Sequence, residues 1–214
     1  MKPAVAIART LLDVGVATFR PDEPFRGVSG KLLPVYLDHR LLLSQPKARE
    51  RITDELIKLI KANYPGIDCV VGTATSGIPW AAWVAAALDL PMVYVRKDTK
   101  EHGQQNRVEG TLAKGSSVVV LEDAIFTGGS AIAAAAVVRE AGATPLAIVG
   151  IFTYATKIAA EGFREASLPL HTLTNFKVLI DEAHGQGALD SATVSQLEEW
   201  VKDPEGWNQR VGAA

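Results

Sequence analysis

Two adjacent carboxylates and a run of small residues suggest one chemical site. Glu122 and Asp123 follow an apolar stretch that predicts a buried strand over 117–121. The Thr-Gly-Gly-Ser sequence at 127–130 opens an alanine-rich segment that predicts a helix over 130–141. Small residues at a strand-to-helix turn leave backbone N–H groups free at the positive end of the helix dipole. We therefore predict a phosphate site at this turn.

The two carboxylates restrict what kind of phosphate compound can bind. A carboxylate repels a phosphate at close range, whereas it binds ribose hydroxyl groups or a hydrated Mg²⁺ well. Glu122 and Asp123 lie just before the small residues of the turn. The sequence therefore predicts a sugar phosphate as the ligand.

A second turn of small residues lies at 72–79, between a predicted strand over 67–72 and a predicted helix over 78–88. Its glycines and hydroxyl residues would let the backbone approach an anion closely. Taken alone, the pattern fits a tight connecting turn as well as an anion site. Its position beside the acidic turn in a parallel sheet favours binding.

A third connection, residues 96–110, is long and polar, with four cations, three anions and one histidine. A solvated surface loop and an active-site lid are both consistent with this composition. Polar loops of this length are uncommon in compact domains unless they are functional, which favours a lid. Its lysines and arginines would neutralise a pyrophosphate leaving group.

Strand and helix patterns alternate through most of the chain, which predicts an α/β fold with a mostly parallel, twisted sheet flanked by helices. Ligands of such sheets bind at the carboxyl ends of the strands. Residues 1–214 are expected to form one domain, in which about 19–46 build a small N-terminal hood with a short strand at 35–37. The remaining predicted helices cover 3–17, 47–62, 175–183 and 191–202, and the remaining strands cover 92–95 and 145–152.

Composition excludes several classes of protein. The chain has 214 residues, of which 48% are hydrophobic and 21% charged, as in globular proteins with a sizeable core. A net charge of −2 argues against a nucleic-acid-binding surface. We find no signal-peptide pattern and no apolar run long enough for a membrane span, so we expect a cytoplasmic protein. The single cysteine, Cys69, is expected in the core.

Three motifs in this order carry a resemblance to a known family. Residues 122–130 are similar to the ribose 5-phosphate loop of the type I phosphoribosyltransferases, and 72–79 are similar to their pyrophosphate loop. The Arg-Lys-x-x-Lys-x-His-Gly pattern at 96–103 resembles the catalytic loop of the orotate branch of that family. Segments 25–40 and 197–200 extend the resemblance over nearly the whole chain.

The resemblance implies transfer of the 5-phosphoribosyl group from 5-phosphoribosyl 1-diphosphate (PRPP) to orotate, giving orotidine 5′-monophosphate and pyrophosphate. It implies the type I phosphoribosyltransferase fold and Mg²⁺ as cofactor. It also implies a homodimer in which the catalytic loop is shared across the interface.

Roles of individual residues also follow from the resemblance. The implied catalytic residues are Arg96, Lys100, His102 and Asp123. The residues implied to bind PRPP are Thr73, Ala74, Arg96, Lys97, Lys100, His102, Glu122, Asp123, Ala124, Ile125, Phe126, Thr127, Gly128, Gly129 and Ser130. Mg²⁺ would arrive with PRPP, and Glu122 and Asp123 are the candidates for touching it. Both carboxylates are expected to stay ionised beside the ribose carbon.

The base pocket departs from the family pattern. Phe126 stands where the orotate enzymes usually have serine or threonine, and its ring could stack on a base or pack nearby. Two leucines replace the usual Lys-Ser before Pro34, next to Lys31. We expect Phe126, Tyr36, Leu37 and Lys31 to line this pocket. Two alternatives stay open: transfer to a different nucleobase, and a regulatory protein that binds PRPP or a nucleotide without catalysis.

Overall fold

The computed structural model describes residues 2–27, 30–97 and 107–212. Its strands are β1 Ala17–Phe19, β2 Phe25–Arg26, β3 Leu32–Leu33, β4 Val35–Leu37, β5 Cys69–Thr73, β6 Met92–Val95, β7 Val108–Glu109, β8 Ser117–Ile125, β9 Thr144–Thr153 and β10 Leu170–Asn175. Its helices are α1 Pro3–Val14, α2 Pro46–Asn63, α3 Gly77–Leu88, α4 Gly129–Glu140, α5 Lys157–Glu165, α6 Phe176–Gly185, α7 Ser191–Lys202 and α8 Pro204–Gly212. A 3₁₀ turn covers His39–Ser44.

Within the described ranges, the central sheet has six strands in the order β10-β9-β8-β5-β6-β7. All neighbouring pairs are parallel except β6 and β7. β6, the next strand along the chain, lies on one side of β5, and β8 lies on the other side. The crevice at such a reversal of strand order is where parallel sheets bind ligands. The topology therefore brings the turns after β5 and β8 together.

Helices cover both faces of this sheet, so its inner strands β5, β9 and the first part of β8 are apolar in continuous runs rather than alternating. All five residues of β5 are buried, and so is the run from Val118 to Leu121 in β8. One core cluster joins the sheet to α1, α2, α3, α6 and α7. A second cluster lies on the opposite face under α4 and α5. The predicted α/β sheet flanked by helices is confirmed.

The predicted end of the β8 strand at residue 121 is wrong. The ladder between β8 and β9 continues through Ala124, paired with Phe152, and Ile125, paired with Thr153. Both carboxylates therefore lie on a strand rather than in a loop. The sequence did not predict this extension, because its side chains are polar. Residue periodicity and polarity cannot distinguish the exposed end of a strand from a loop.

Short elements account for most of the other differences. The first helix ends at Val14 rather than 17, at Gly15, which is a plausible helix break in the sequence; Gly15 takes a left-handed conformation (φ 79°) and caps the helix. β7, β10, α5 and α8 were not predicted. The hood region contains two small antiparallel pairs, β1 with β4 and β2 with β3. The expectation that residues 1–214 form one domain stays a prediction. Among the described helices, none combines the length and the apolar character needed to cross a membrane.

Candidate active site

A cavity of about 300 Å³ lies at the carboxyl ends of β5 and β8. We call it the phosphate cavity. Its walls are residues 74–76 after β5 and residues 122–131, which run from the end of β8 into α4. Of the fifteen residues implied to bind PRPP, the structure places ten around this cavity: Ala74, Glu122, Asp123, Ala124, Ile125, Phe126, Thr127, Gly128, Gly129 and Ser130.

Gly128 shapes the turn between β8 and α4. Its φ of 80° is left-handed, and it precedes the helix as an N-cap without a side-chain hydrogen bond. A Cβ atom at this position would lie 2.6 Å from Cε2 of Phe163 in α5. Glycine is therefore required both for the backbone conformation and for close packing on α5. The first-turn N–H groups of α4 face the cavity end of the helix, where an anion is stabilised.

The turn after β5 is fixed to β8 by direct contacts. The Thr73 hydroxyl donates a hydrogen bond to the Leu121 carbonyl over 3.0 Å. At Gly77, a Cβ atom would lie only 2.3 Å from the same carbonyl oxygen. Only glycine lets the start of α3 approach β8 this closely, which brings residues 74–76 beside the acidic pair.

The environment of the acidic pair changes the protonation of Glu122. Burial, and then the negative charge of Asp123, raise the pKa of Glu122 to about 8. Glu122 Oε1 also accepts a hydrogen bond from the Asp123 backbone N–H at 3.1 Å. Burial therefore favours the neutral form of Glu122 in the ligand-free protein. That both carboxylates stay ionised beside the ribose stays a prediction for the complex.

A second cavity, of about 270 Å³, adjoins the turn after β5. We call it the cationic cavity, because Arg96, Lys97 and Arg107 line it with Thr73 and Ser130. Arg107 donates to the carbonyl of Arg96 (3.2 Å) and to that of Lys97 (2.9 Å). Sequence reasoning gave Arg107 no specific role, although it was counted among the cations of this loop. Lys100 and His102 lie outside the described residues.

Phe126 packs within an aromatic cluster beside the phosphate cavity. Its ring is stacked on Trp200 of α7, with centroids 5.7 Å apart. Its edge contact with Tyr154 has a centroid distance of 5.0 Å. Tyr154 and Trp200 lie outside the three main motifs, so the sequence analysis did not predict this cluster. A polar aromatic residue just after a buried parallel strand was the available signal for Tyr154.

The other base-pocket candidates do not gather in one place. Lys31 forms an ion pair with Glu205 and lines a third cavity, of about 450 Å³, together with Phe126 and Thr127. Tyr36 and Leu37 lie in β4 instead. Tyr36 is 43% exposed, and its hydroxyl accepts a hydrogen bond from Arg40 at 2.9 Å. Phe126 is thus the candidate that links the phosphate cavity to the third cavity.

The residues present limit how a metal could be held. Within the described parts of the chain, no group of three or more histidine, cysteine, aspartate or glutamate side chains gathers as a metal site. Glu122 and Asp123 provide two carboxylates on adjacent positions. Mg²⁺ prefers one or two carboxylates together with waters and substrate phosphates. The site therefore suits a Mg²⁺ that enters with a phosphorylated ligand.

Comparison with known proteins agrees with this geometry. Residues 42–184 match the phosphoribosyl transferase domain family. An orotate phosphoribosyltransferase of Cytophaga hutchinsonii is 43% identical over 203 residues, which are 95% of this chain and 97% of that protein. One of Staphylococcus saprophyticus is 46% identical over 197 residues, which are 92% of this chain and 97% of that protein.

Solved structures agree as well. The crystal structure of orotate phosphoribosyltransferase from Aeropyrum pernix superposes with a TM-score of 0.73 at 28% identity, and covers 86% of this chain and 99% of that one. The family match over 42–184 includes both turns that build the phosphate cavity. The chain therefore belongs to the phosphoribosyltransferase family and, within it, to the orotate phosphoribosyltransferases.

Proposed function

We propose that this protein uses the phosphate cavity and the cationic cavity to hold PRPP, and transfers its 5-phosphoribosyl group to orotate in a Mg²⁺-dependent reaction. The bond between ribose C1 and the diphosphate oxygen breaks, a bond from C1 to orotate N1 forms, and the N1 proton is lost. The products are orotidine 5′-monophosphate and pyrophosphate. The observation that carries the proposal is the meeting of the acidic strand end, the first turn of α4 and the turn after β5 around one cavity.

The 5-phosphate of the donor would bind at residues 127–130. Backbone N–H groups of the turn and the hydroxyls of Thr127 and Ser130 are donors suited to phosphate oxygens. Glu122 and Asp123 would accept hydrogen bonds from the ribose hydroxyls, which lie further from the phosphate. Asp123 would also stabilise the positive charge that develops at C1 during bond cleavage. Ala124 and Ile125 support this arrangement through the backbone of β8.

The diphosphate would lie toward the cationic cavity. Arg96 and Lys97 line that cavity with Thr73 and Ala74, and the negative charge of the leaving group grows as the C1–O bond breaks. Lys100 and His102 are proposed, from the sequence motif alone, to complete the clamp. Mg²⁺, when bound, neutralises charge on the diphosphate oxygens and so makes it a better leaving group.

The test is an assay of the purified protein with orotate, PRPP and Mg²⁺, in which the loss of orotate absorbance reports turnover. We expect turnover with orotate and a much weaker response with other pyrimidines or purines in its place. Turnover with another base alone would support the alternative acceptor that the Phe126 substitution suggested. Binding of PRPP without turnover on any base would support the regulatory alternative. Omission of Mg²⁺ tests the cofactor separately.

We also propose that the protein is a cytoplasmic homodimer in which Lys100 and His102 of the catalytic loop reach the partner's site, while Arg96 and Lys97 stay in their own. The similarity of the 96–103 motif to the family's catalytic loop supports this. Mixing an inactive Lys100→Ala protein with an inactive Asp123→Asn protein tests it, because a shared site would let hybrid dimers regain activity. Light scattering at the assay concentration would report the mass. A monomer, or a mixture without regained activity, would contradict the shared loop.

A further inference from the structure

Tyr154 lies just past the end of β9, beside the strand end that carries the acidic pair. Its backbone N–H donates to the Ile125 carbonyl at 2.9 Å. Two residues later, the Thr156 hydroxyl donates to the Phe126 carbonyl at 2.6 Å. These bonds fasten the segment after β9 to the segment after β8. The position of Tyr154 relative to the phosphate cavity is therefore set by backbone contacts.

Four aromatic rings enclose the ring of Tyr154. The centroid distances are 5.0 Å to Phe126, 5.2 Å to Phe152, 5.5 Å to Phe176 and 5.8 Å to Trp200. Rings packed at these distances have little freedom to rotate away from their positions. The phenol is therefore held in one orientation, and its hydroxyl is placed by the cluster rather than by a hydrogen bond.

The hydroxyl of Tyr154 has an unusual environment. It makes no hydrogen bond to any residue in the described parts of the chain, and a half-buried hydroxyl normally finds a partner. Burial, then the charge of Asp123, and then Tyr36 raise its pKa above the ordinary value. The hydroxyl therefore keeps its proton at neutral pH and lies within electrostatic reach of Asp123 and of the hood. A protonated, unpaired hydroxyl at this point is available to a ligand.

The two charged donors of the hood already have partners, whereas the Nε2 atom of His39, which also lies in the field of Asp123, has no partner in the described residues but is buried. Arg40 donates to Asp38 and to the Tyr36 hydroxyl, and Lys31 is paired with Glu205. Phe126 has no polar group to offer. A pyrimidine with carbonyl and carboxylate oxygens needs donors to be recognised.

We propose that Tyr154 contacts the base directly, its hydroxyl donating a hydrogen bond to a carbonyl or carboxylate oxygen of the acceptor pyrimidine. The inference rests on the proposed function and adds a specificity-determining residue to it. The aromatic cluster supplies the orientation, and Phe126 supplies an apolar edge beside the base.

The test is Tyr154→Phe, which keeps the ring contacts and removes only the hydroxyl. We expect the KM for orotate to rise about tenfold, while the KM for PRPP and kcat stay within about twofold. The melting temperature should not fall, because the lost hydroxyl has no protein partner. Tyr64→Phe is the matched control: its hydroxyl is bonded to His171 at 2.8 Å near the start of β10, away from the cavity.

Each outcome has a definite meaning. A KM for orotate that changes by less than about twofold in an active protein would overturn the role of Tyr154 and leave the proposed function standing. Equal increases in both KM values would also overturn it, because they would indicate a structural effect on the phosphate turn. Wild-type protein that shows no turnover of orotate would overturn the proposed function itself, together with the inference.

Discussion

The proposed donor half and the proposed acceptor half of the site are built in different ways. The donor half, residues 73–77 and 122–131, follows the ends of adjacent parallel strands and is held by backbone geometry. The acceptor half comprises the hood, the segment after β9 and the helices α7 and α8. Its parts meet through side chains that are far apart in sequence, such as Phe126 on Trp200. In the proposed function, donor recognition is therefore fixed by the sheet, whereas base recognition depends on tertiary contacts between distant parts of the chain.

The helix α8 shows how the acceptor half is assembled. The Asn208 side chain accepts a hydrogen bond from the Leu32 N–H at 2.5 Å and donates one to the Leu32 carbonyl at 2.9 Å. The Asn208 side-chain amide thus satisfies both backbone hydrogen-bonding groups of Leu32 in β3. The ion pair between Lys31 and Glu205 adds a second link to the same hairpin. The carboxyl-terminal helix therefore ties the hood to the body of the protein.

Removing charge from the donor half should have the largest effect. We expect Asp123→Asn to lower kcat by about 10²–10³-fold, because a preorganised charge beside the reacting carbon is lost. Steady-state kinetics with orotate and PRPP measures this. Asp181→Asn, at an exposed ion pair with Lys177 in α6, is the control and should leave kcat unchanged. A decrease of less than tenfold for Asp123→Asn would show that the pair does not act on the transition state.

A change in the backbone of the phosphate turn should come next. Gly128→Ala combines a left-handed φ with a collision against Phe163, so we expect the KM for PRPP to rise about tenfold and stability to fall by about 2–3 kcal/mol. Gly187→Ala is the matched control, since Gly187 has a φ of 76° and no atom within 4 Å of its Cβ position. Denaturant unfolding should show a loss of about 1 kcal/mol for the control. Equal losses in the two variants would refute the packing role of Gly128.

The hood link predicts a smaller effect, confined to the acceptor. Asn208→Leu removes both hydrogen bonds to β3, and we expect the KM for orotate to rise about fivefold with no change in the KM for PRPP. Asn63→Leu is the control, because among the described residues the Asn63 side chain bonds only to Leu59 in its own helix. If the KM for PRPP rose by the same factor, the two halves would not be independent.

The smallest effect concerns the proton on Glu122. Its raised pKa means that the folded protein binds this proton more tightly than the unfolded chain, so the stability it gives is lost as pH rises toward 8. Burial of His39 lowers its pKa and acts in the opposite direction below about 6.5. We expect the free energy of unfolding to fall by about 1 kcal/mol between pH 6.5 and 8. Denaturant titrations of wild type and Glu122→Gln should show this slope in wild type only; the same slope in both would assign it to another group.

The two halves also differ in how much of their structure could be predicted from the sequence. The strands and turns around the phosphate cavity were predicted from local composition, because apolar strands that end in small residues have a clear pattern. That these turns bind PRPP stays a prediction. The one clear error was the end of β8, where Glu122 and Asp123 continue the ladder with β9. Protonation of Glu122 could not be foreseen either, because it depends on burial by neighbouring segments.

The contacts that build the acceptor half could largely not be predicted from the sequence. Nothing in the local pattern around Asn208 indicates that its amide binds Leu32, which is 176 positions away. The link between Lys31 and Glu205 and the stacking of Phe126 on Trp200 are contacts of the same kind. Long-range pairing of side chains has no signature in periodicity or composition, so the base pocket could be named only by resemblance.

A crystal structure of the protein soaked with PRPP and Mg²⁺ tests the central claim most directly. We predict the 5-phosphate at residues 127–130, the ribose hydroxyls at Glu122 and Asp123, and the diphosphate toward Arg96 and Lys97. Density for PRPP at any other place, or an empty phosphate cavity at a concentration that saturates binding in solution, would contradict the account.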